Sequence, residues 1–373
     1  MGTMWMPRQS GLLQSRRDFI RVALMAGPVA MALPSMLSAA KAAPNPMIVP
    51  VKGLATPEDL GLIPETDWIV TSASATTTIK NARTYFVNVR TRQVRPAYPD
   101  NCTAEIDRDK YGDMAPPEMI NFHGLDIIKA ADGTITLYQI NHKAHLSPTE
   151  AVGREAIEVF TIRMTPAGPT LQWRGAIPLP SWAMANDCCA LPEGGVAVTN
   201  IAFGGPESFP AMVTGRSSGN VIEWHDRQQG WSVVEGTDIN APNGIAVSAN
   251  GEYLFICSSA KKQLLRISRK NPHGDRAAVD LGAMPDNVTW TPDGQLLIAA
   301  SVGEMPEFFA AAAAGKLSAP LRALKVDPVT LKVQTVIEDN PGNCIISTVL
   351  QVNRNEIWAG GLGIEDRLLA YQV

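Results

Sequence analysis

Oxygen-bearing side chains recur at the heads of short apolar runs. Glu65 stands before Trp68-Ile-Val, Asn186 before Cys188-Cys-Ala, Asn243 before Ile245-Ala-Val, and the pair Asp286-Asn287 before Val288-Thr-Trp. His123 heads a fifth run in the same phase, Leu125-Asp-Ile. With His123 set aside, two carboxylates and three neutral amide oxygens make a hard, all-oxygen donor set. Such a set suits Ca²⁺, which takes roughly six to eight oxygens, water and substrate completing the shell. Two carboxylates neutralise a dication, and amides fill further positions without excess negative charge. Zn²⁺ is disfavoured, because the chain has no H-E-x-x-H and no C-x-x-C. Taken singly, a polar residue before a strand is usually a turn or capping residue. Recurrence in phase gives these positions their weight.

A cation in such a ring would polarise the carbonyl of an ester or lactone and stabilise the oxyanion formed as a nucleophile adds. An attacking water needs a general base, and histidine titrates near neutral pH. His123 is the better candidate because it heads a strand. His142, following the next strand, could hold His123 in the useful tautomer and share its proton. A hydrogen-bonded channel histidine and a loop histidine are the plainer readings of the two. His145, His225 and His273 read as surface residues. Asp286 could instead attack as a carboxylate nucleophile, but charge balance at the cation favours the ligand role. Gly215-Arg-Ser217-Ser-Gly219 matches G-x-S-x-G, yet a strand-like run, Asn220-Val-Ile-Glu-Trp, follows where a serine-hydrolase elbow requires a helix. It reads as a hairpin turn.

The elements that must position these residues are short β-type runs rich in Val, Ile and Thr, separated by Gly, Asp, Asn and Pro. Helical periodicity is scarce, the best candidates being the N-terminal apolar run and the neighbourhood of Ala310–Ala314. One unit returns several times: polar head, apolar strand, Asp-Gly or a relative, second strand. Its turns are Asp132-Gly133, Glu193-Gly194-Gly195, Asn250-Gly251 and Asp293-Gly294. Units at Glu65 and near Thr348-Val-Leu lack so clean a turn. The heads from His123 to Asn287 recur at intervals of 44 to 63 residues, where a four-stranded propeller blade takes about 40–50. The expected architecture is all-β, a six-bladed β-propeller in which the starts of the inner strands converge on one end of the central channel.

Phe122-His123-Gly124-Leu125-Asp126, Asn141-His142, Ala185-Asn186-Asp187, Pro242-Asn243-Gly244 and Pro285-Asp286-Asn287 together resemble the paraoxonase/SMP-30/gluconolactonase family, nearest its paraoxonase-like arm. The resemblance covers roughly residues 60–370 and rests on the combination of motifs. It implies a six-bladed propeller and calcium-dependent lactonase or arylesterase activity. It implies Glu65, Asn186, Asn243, Asp286 and Asn287 as ligands of a catalytic calcium, and His123 with His142 as the histidine pair. Asp187 and the Leu125 carbonyl match contacts to a second, structural calcium, and Phe308-Phe309 matches aromatic residues that line the substrate pocket. The chain departs from the family in two places. The family has an acidic residue directly after its first glutamate, whereas Thr66 follows Glu65 and Asp67 comes one further on. The cysteine bridge that ties first strand to last in paraoxonases has no N-terminal partner, since residues 43–101 contain no Cys.

The first 42 residues read as an address. Ser15-Arg16-Arg17-Asp18-Phe19-Ile20 is a twin-arginine pattern, Val22–Leu37 is an apolar run of 16 residues, and Ala40-Lys41-Ala42 is a small-residue cleavage site. The run is short for a bilayer span, and the order is that of a secretory signal for the Tat route. Residues 43–373 are then a single exported domain, periplasmic or secreted, with no stable membrane insertion after cleavage. The whole chain of 373 residues has a net charge of −4, and loss of the basic leader makes it more acidic, which excludes a nucleic-acid binder held by a basic surface. Five cysteines cannot all pair. Cys188, Cys189 and Cys257 read as buried thiols, while Cys102 and Cys344, in turn-rich segments, could form a bridge. The expected partners are the Tat export machinery and a small lactone or ester. A gluconolactonase-like sugar-lactone hydrolase, or a non-catalytic metal-stabilised binding platform, are the competing readings.

Overall fold

The computed structural model describes residues 46–73, 83–145, 151–204, 207–314, 316 and 318–373. The leader, residues 1–42, lies outside these residues. Six sheets of four or five strands form the expected six-bladed β-propeller. The third blade is representative. Its inner strand Ala185–Ala190 is followed by Val196–Asn200, Asn220–Trp224 and Trp231–Val233, each antiparallel to its neighbour. The second blade gains an outer strand, Cys102–Ala104, laid parallel to Gly168–Pro178. Met47–Ala55, the first strand in sequence, pairs with Glu365–Gln372 and completes the last blade. Strand hydrogen bonds thus join the two ends of the ring.

Apolar side chains from facing blades fill the spaces between them. Phe86 of the first blade, for instance, packs with Phe122, Phe160 and Trp173 of the second. The inner strands turn into the second strands through the glycines marked by the sequence. Gly133, Gly194, Gly251 and Gly294 have φ of 86°, 101°, 71° and 75°, a left-handed conformation that a Cβ strains.

The feature that builds the site is a β-bulge repeated near the start of the inner strand. Pairing with the second strand shifts register between Phe122 and Leu125, Ala185 and Cys188, Pro242 and Ile245, and Pro285 and Val288. His123, Asn186, Asn243 and Asp286-Asn287 sit in these bulges. A bulge breaks the alternation of side chains and re-aims the extra residue, here at the same level in four consecutive blades. The blades approach so closely there that two positions admit only glycine. A Cβ on Gly124 would lie 2.4 Å from Asp187 Oδ1 and 2.6 Å from Asp187 Cα. A Cβ on Gly244 would lie 2.5 Å from the Asp286 carbonyl oxygen and 2.7 Å from Asn287 Cα. We expect Gly244→Ala to force the fourth and fifth blades apart and to lower unfolding stability by about 1–3 kcal/mol. Denaturant titration would measure this, and an unchanged midpoint would contradict it.

Buried and half-buried carboxylates staple consecutive inner strands. Asp59 Oδ2 accepts from the Leu125 N–H at 2.9 Å, Asp126 Oδ2 from Ala190 at 2.8 Å and Asp187 Oδ2 from Ile245 at 2.9 Å. The other oxygen of each accepts from the next residue of its own strand, Leu60, Ile127 or Cys188. Burial pushes the Asp126 carboxyl up to about 6, with the Ala190 and Ile127 N–H groups pulling the other way. The ring closes through Ser347, whose hydroxyl donates to the Glu58 carbonyl at 2.7 Å, and Thr348, which donates to Asp59 Oδ1 at 3.0 Å.

All five cysteines are free thiols. The bridge between Cys102 and Cys344 does not form, because Cys102 lies on the outer edge of the second blade and Cys344 just before the inner strand of the sixth. Gly215–Gly219 is not a hairpin turn. It leads from the short helix Ser208–Val213 into the strand Asn220–Trp224, and the Ser217 hydroxyl donates to the Asp238 carbonyl. The helix expected near Ala310–Ala314 spans Met305–Ala313. No described helix is long and apolar enough to cross a membrane.

Candidate functional site

Glu65 is not in the ring. It lies in the turn between Leu60–Leu62 and Trp68–Thr71, its side chain 76% exposed and ion-paired with Lys129. Lys129 ends the inner strand of the second blade, so this is the far end of the channel. The apolar run Trp68-Ile-Val-Thr, taken from sequence as the inner strand of the first blade, is its second strand. The inner strand is the shorter Leu60–Leu62. Two residues before that strand stands Glu58, with a side chain 3% exposed, and Asp59 follows it. A signal for it was present. Glu58-Asp59 is the one pair of adjacent acids between residues 43 and 121, and it supplies the acidic neighbour missing after Glu65.

Glu58 is held from three sides. Asn287 Nδ2 donates to its carbonyl and to Oε1, both at 3.2 Å. Ser347 also donates to the carbonyl. His123 Nε2 stands 3.3 Å from Oε1. By committing its NH₂ to Glu58, Asn287 directs Oδ1 elsewhere. The buried Oδ1 atoms of Asn186, Asn243 and Asn287 accept no hydrogen bond from any described residue. An unsatisfied buried acceptor costs about 1–3 kcal/mol, and three at one level of the channel could serve as donors to a cation. Among the described residues no three His, Cys, Asp or Glu side chains converge as a metal cluster. The oxygens at this level are mostly amide oxygens, a donor type that suits a hard dication better than Zn²⁺. Asp286, half-buried in the bulge of the fifth blade, is the second carboxylate at this level.

Beneath Glu58 lie Asp59 and Asp187, both buried. Burial, then the charge of Glu58, pushes the Asp59 carboxyl well above its usual range. Burial, then Asp59, does the same to Asp187. Three carboxylates within electrostatic reach cannot all ionise in a buried channel without a counter-charge. Asp187 is thus buried beside Asp59, a residue that the sequence reading did not single out. Leu125 meets Asp59 through its N–H.

His123 and His142 come together, ring centroids 5.5 Å apart and planes inclined at 55°. His123 sits in the bulge, and His142 follows the strand Ile135–Asn141 that pairs with it. A residue unread in the sequence supports them. Glu155 Oε2 lies 2.6 Å from His142 Nδ1, and Glu155 Oε1 accepts from the Lys143 N–H at 3.0 Å. Burial would raise the Glu155 carboxyl, but His142 and the Lys143 amide outweigh it and hold it below its ordinary range. No local motif marks Glu155; it opens the approach to the third strand of the blade, and only pairing of that strand brings it beside His142. His225 pairs with Glu223, and His273 is exposed. The His145 side chain lies outside the described residues.

Above the ring, the helices Ser208–Val213 and Met305–Ala313 meet. Phe209 and Phe309 are edge to face at 4.9 Å, and Phe308 and Phe309 at 5.5 Å. Met212, Met284, Met305 and Ala241 complete the buried cluster. Met284 and Ala241 each lie two residues before a ring position, so this apolar roof adjoins the ring. Phe309 is buried within it, and Phe308 stands at its edge.

No known protein family's profile matches the chain, and no curated protein matches it. Solved structures do. A luciferin-regenerating enzyme superposes with a TM-score of 0.52 at 14% identity, covering 88% of this chain and 96% of its own. A gluconolactonase from Xanthomonas campestris superposes with a TM-score of 0.51 at 14% identity, covering 88% of this chain and 89% of its own. At that identity the likeness establishes the fold.

Proposed function

We propose that the chain is an exported, calcium-dependent hydrolase of lactones or aryl esters. The observation that carries this reading is the set of three buried, unsatisfied amide oxygens, Asn186, Asn243 and Asn287, beside Glu58, with His123 Nε2 3.3 Å from that carboxylate. Glu58 takes the role that sequence gave to Glu65. With Asp286 and the three amides it would hold a catalytic Ca²⁺, while Asp59 and Asp187, with Leu125 alongside, would hold a second, structural one. When bound, the catalytic cation supplies Lewis-acid polarisation of a carbonyl and charge to oppose the oxyanion. Its neutral amides and paired carboxylates match a dication, and the gluconolactonase-like and luciferin-regenerating folds support a small-molecule hydrolase.

The chain's own groups provide the remainder. Glu58 Oε1 holds the proton of His123 on Nε2, which makes Nδ1 the basic atom. His123 Nδ1 takes a proton from an attacking water. The apolar roof seats the acyl or aryl portion and keeps bulk water away. That roof, with Phe308 at its rim, favours lipophilic lactones or aryl esters over a polyhydroxylated sugar lactone. The twin-arginine leader assigns the mature chain to the periplasm or the exterior, with the Tat machinery as its export partner.

The test uses residues 43–373, assayed on γ- and δ-lactones, phenyl acetate and an aldonolactone before EDTA, after EDTA, and after calcium is returned. Hydrolysis is expected to vanish and return, with lipophilic substrates preferred over the aldonolactone. A folded, calcium-loaded protein that turns over nothing on the panel would leave a metal-stabilised binding platform as the better reading.

A further inference from the structure

We infer that Glu155 is a positioning residue for the histidine pair: its carboxylate fixes the His142 ring proton on Nδ1 and leaves Nε2 unprotonated in the ring beside His123. The inference rests on the hydrolytic reading and adds to it a residue that neither sequence motif nor fold likeness marks.

Both Glu155 oxygens are committed, Oε2 to His142 Nδ1 at 2.6 Å and Oε1 to the Lys143 N–H at 3.0 Å. The carboxylate therefore cannot turn from the ring without losing a second bond. An ionised carboxylate only accepts, so the ring nitrogen facing it must carry the proton. The groups around His142 agree with this role. His123 faces it from the inner strand, and the Asn121 carbonyl accepts its backbone N–H. Arg154, adjacent in sequence to Glu155, does not neutralise it. Its guanidinium is committed to Glu158 through Nε at 2.7 Å and Nη2 at 2.6 Å, and to the Ala115 carbonyl. Glu158 is further saturated by Trp173 Nε1 and Asn141 Nδ2. Lys143 contributes its amide. Side-chain exposure rises from 3% at His123 to 17% at His142 and 32% at Glu155, so the charge opposing a protonated pair lies at the edge of the channel.

Proton accounting closes. As the water oxygen bonds to the acyl carbon, one water proton passes to His123 Nδ1. The positive charge on His123 then lies beside His142, whose Nδ1–H is held by the opposing charge of Glu155. When the acyl C–O bond breaks, the stored proton returns to the departing oxygen, so the net change is addition of water across that bond.

The experiment is Glu155→Ala and Glu155→Gln in the full mature chain. It reads kcat and KM on the best lactone, together with ¹⁵N–¹H spectra of ¹⁵N-histidine-labelled protein. We expect Glu155→Ala to lower kcat about 10-fold or more with KM within about two-fold, and to move His142 from the Nδ1–H to the Nε2–H tautomer. Glu155→Gln, whose amide oxygen still accepts, should recover part of kcat. If Glu155→Ala does not fold, the isosteric Gln variant replaces it, with the Nδ1 proton resonance moving upfield as the charge is lost. Unchanged kcat in an active enzyme, or an unchanged His142 tautomer, would overturn the inference while leaving the hydrolase reading in place. If the wild-type chain hydrolyses nothing, the hydrolase reading fails and the tautomer alone decides whether Glu155 positions His142.

Discussion

Glu58→Gln is expected to lower kcat/KM on order of 10²–10³-fold, whereas Glu65→Gln leaves it within about two-fold. Gln preserves the volume of Glu58 and one acceptor for Asn287 Nδ2, so the fold should survive. It removes the negative charge from a buried ring in which the remaining donors are mostly neutral amides. It also removes the negative charge 3.3 Å from His123 Nε2, so the base loses the charge that would oppose its protonated form. Calcium affinity, measured by calorimetry, should fall with activity. Glu65, by contrast, stands exposed at the other end of the channel beside Lys129, and an exposed pair contributes little. Equal losses in the two variants, or loss in Glu65→Gln alone, would return the ligand role to Glu65 and contradict the placement of the first blade.

Removal of the cation is expected to destabilise the protein by about 3–5 kcal/mol at neutral pH, the usual cost of stripping a buried charge of its partner. For a chain of this size that is roughly 10 °C in melting temperature. The pH dependence has a definite sign. Asp59 and Asp187 are pushed up in the folded state, first by burial and then by neighbouring carboxylates. A carboxyl raised on folding stabilises the native state while protonated, and that contribution is lost as pH rises from the ordinary carboxylate range through the folded value. The EDTA-treated protein should therefore melt at progressively lower temperature as pH is raised above the ordinary carboxylate range. Saturating calcium should remove most of that decline, because the ion supplies the counter-charge instead of protons. Thermal scans with and without calcium across this range measure both. A calcium-independent melting curve at every pH would show that protons or internal hydrogen bonds alone balance these carboxylates. Asp187→Asn should shrink the calcium-dependent gap.

Much of the ring was legible because its logic is local and repeated. Asn186, Asn243 and Asp286-Asn287 each stand a fixed short distance before an apolar run, and the Asp-Gly class of turns marks where an inner strand passes into the second strand of its blade. A six-bladed propeller follows from that recurrence and from the chain length. The first blade was misread for an equally local reason. Its inner strand has only three residues, Leu60–Leu62, and the stronger apolar signal belongs to the next strand. Phase was counted from the wrong strand, and Glu65 was drawn into the ring in place of Glu58.

By itself, then, the amino-acid sequence determined the strand-and-turn repeat, the residue types at the heads of the inner strands, and the pairing of His123 with the next strand's His142. Only the tertiary structure decided which carboxylate enters the ring, that Asp59 joins Asp187 beneath it, that Glu155 stands against His142, and that Met47–Ala55 closes the last blade. Periodicity reports which face of a strand is apolar. It does not report where a bulge shifts register, or which distant strand becomes a neighbour when the ring closes. Those contacts are set by how six twisted sheets pack about one axis, with Gly124 and Gly244 allowing their inner strands to meet.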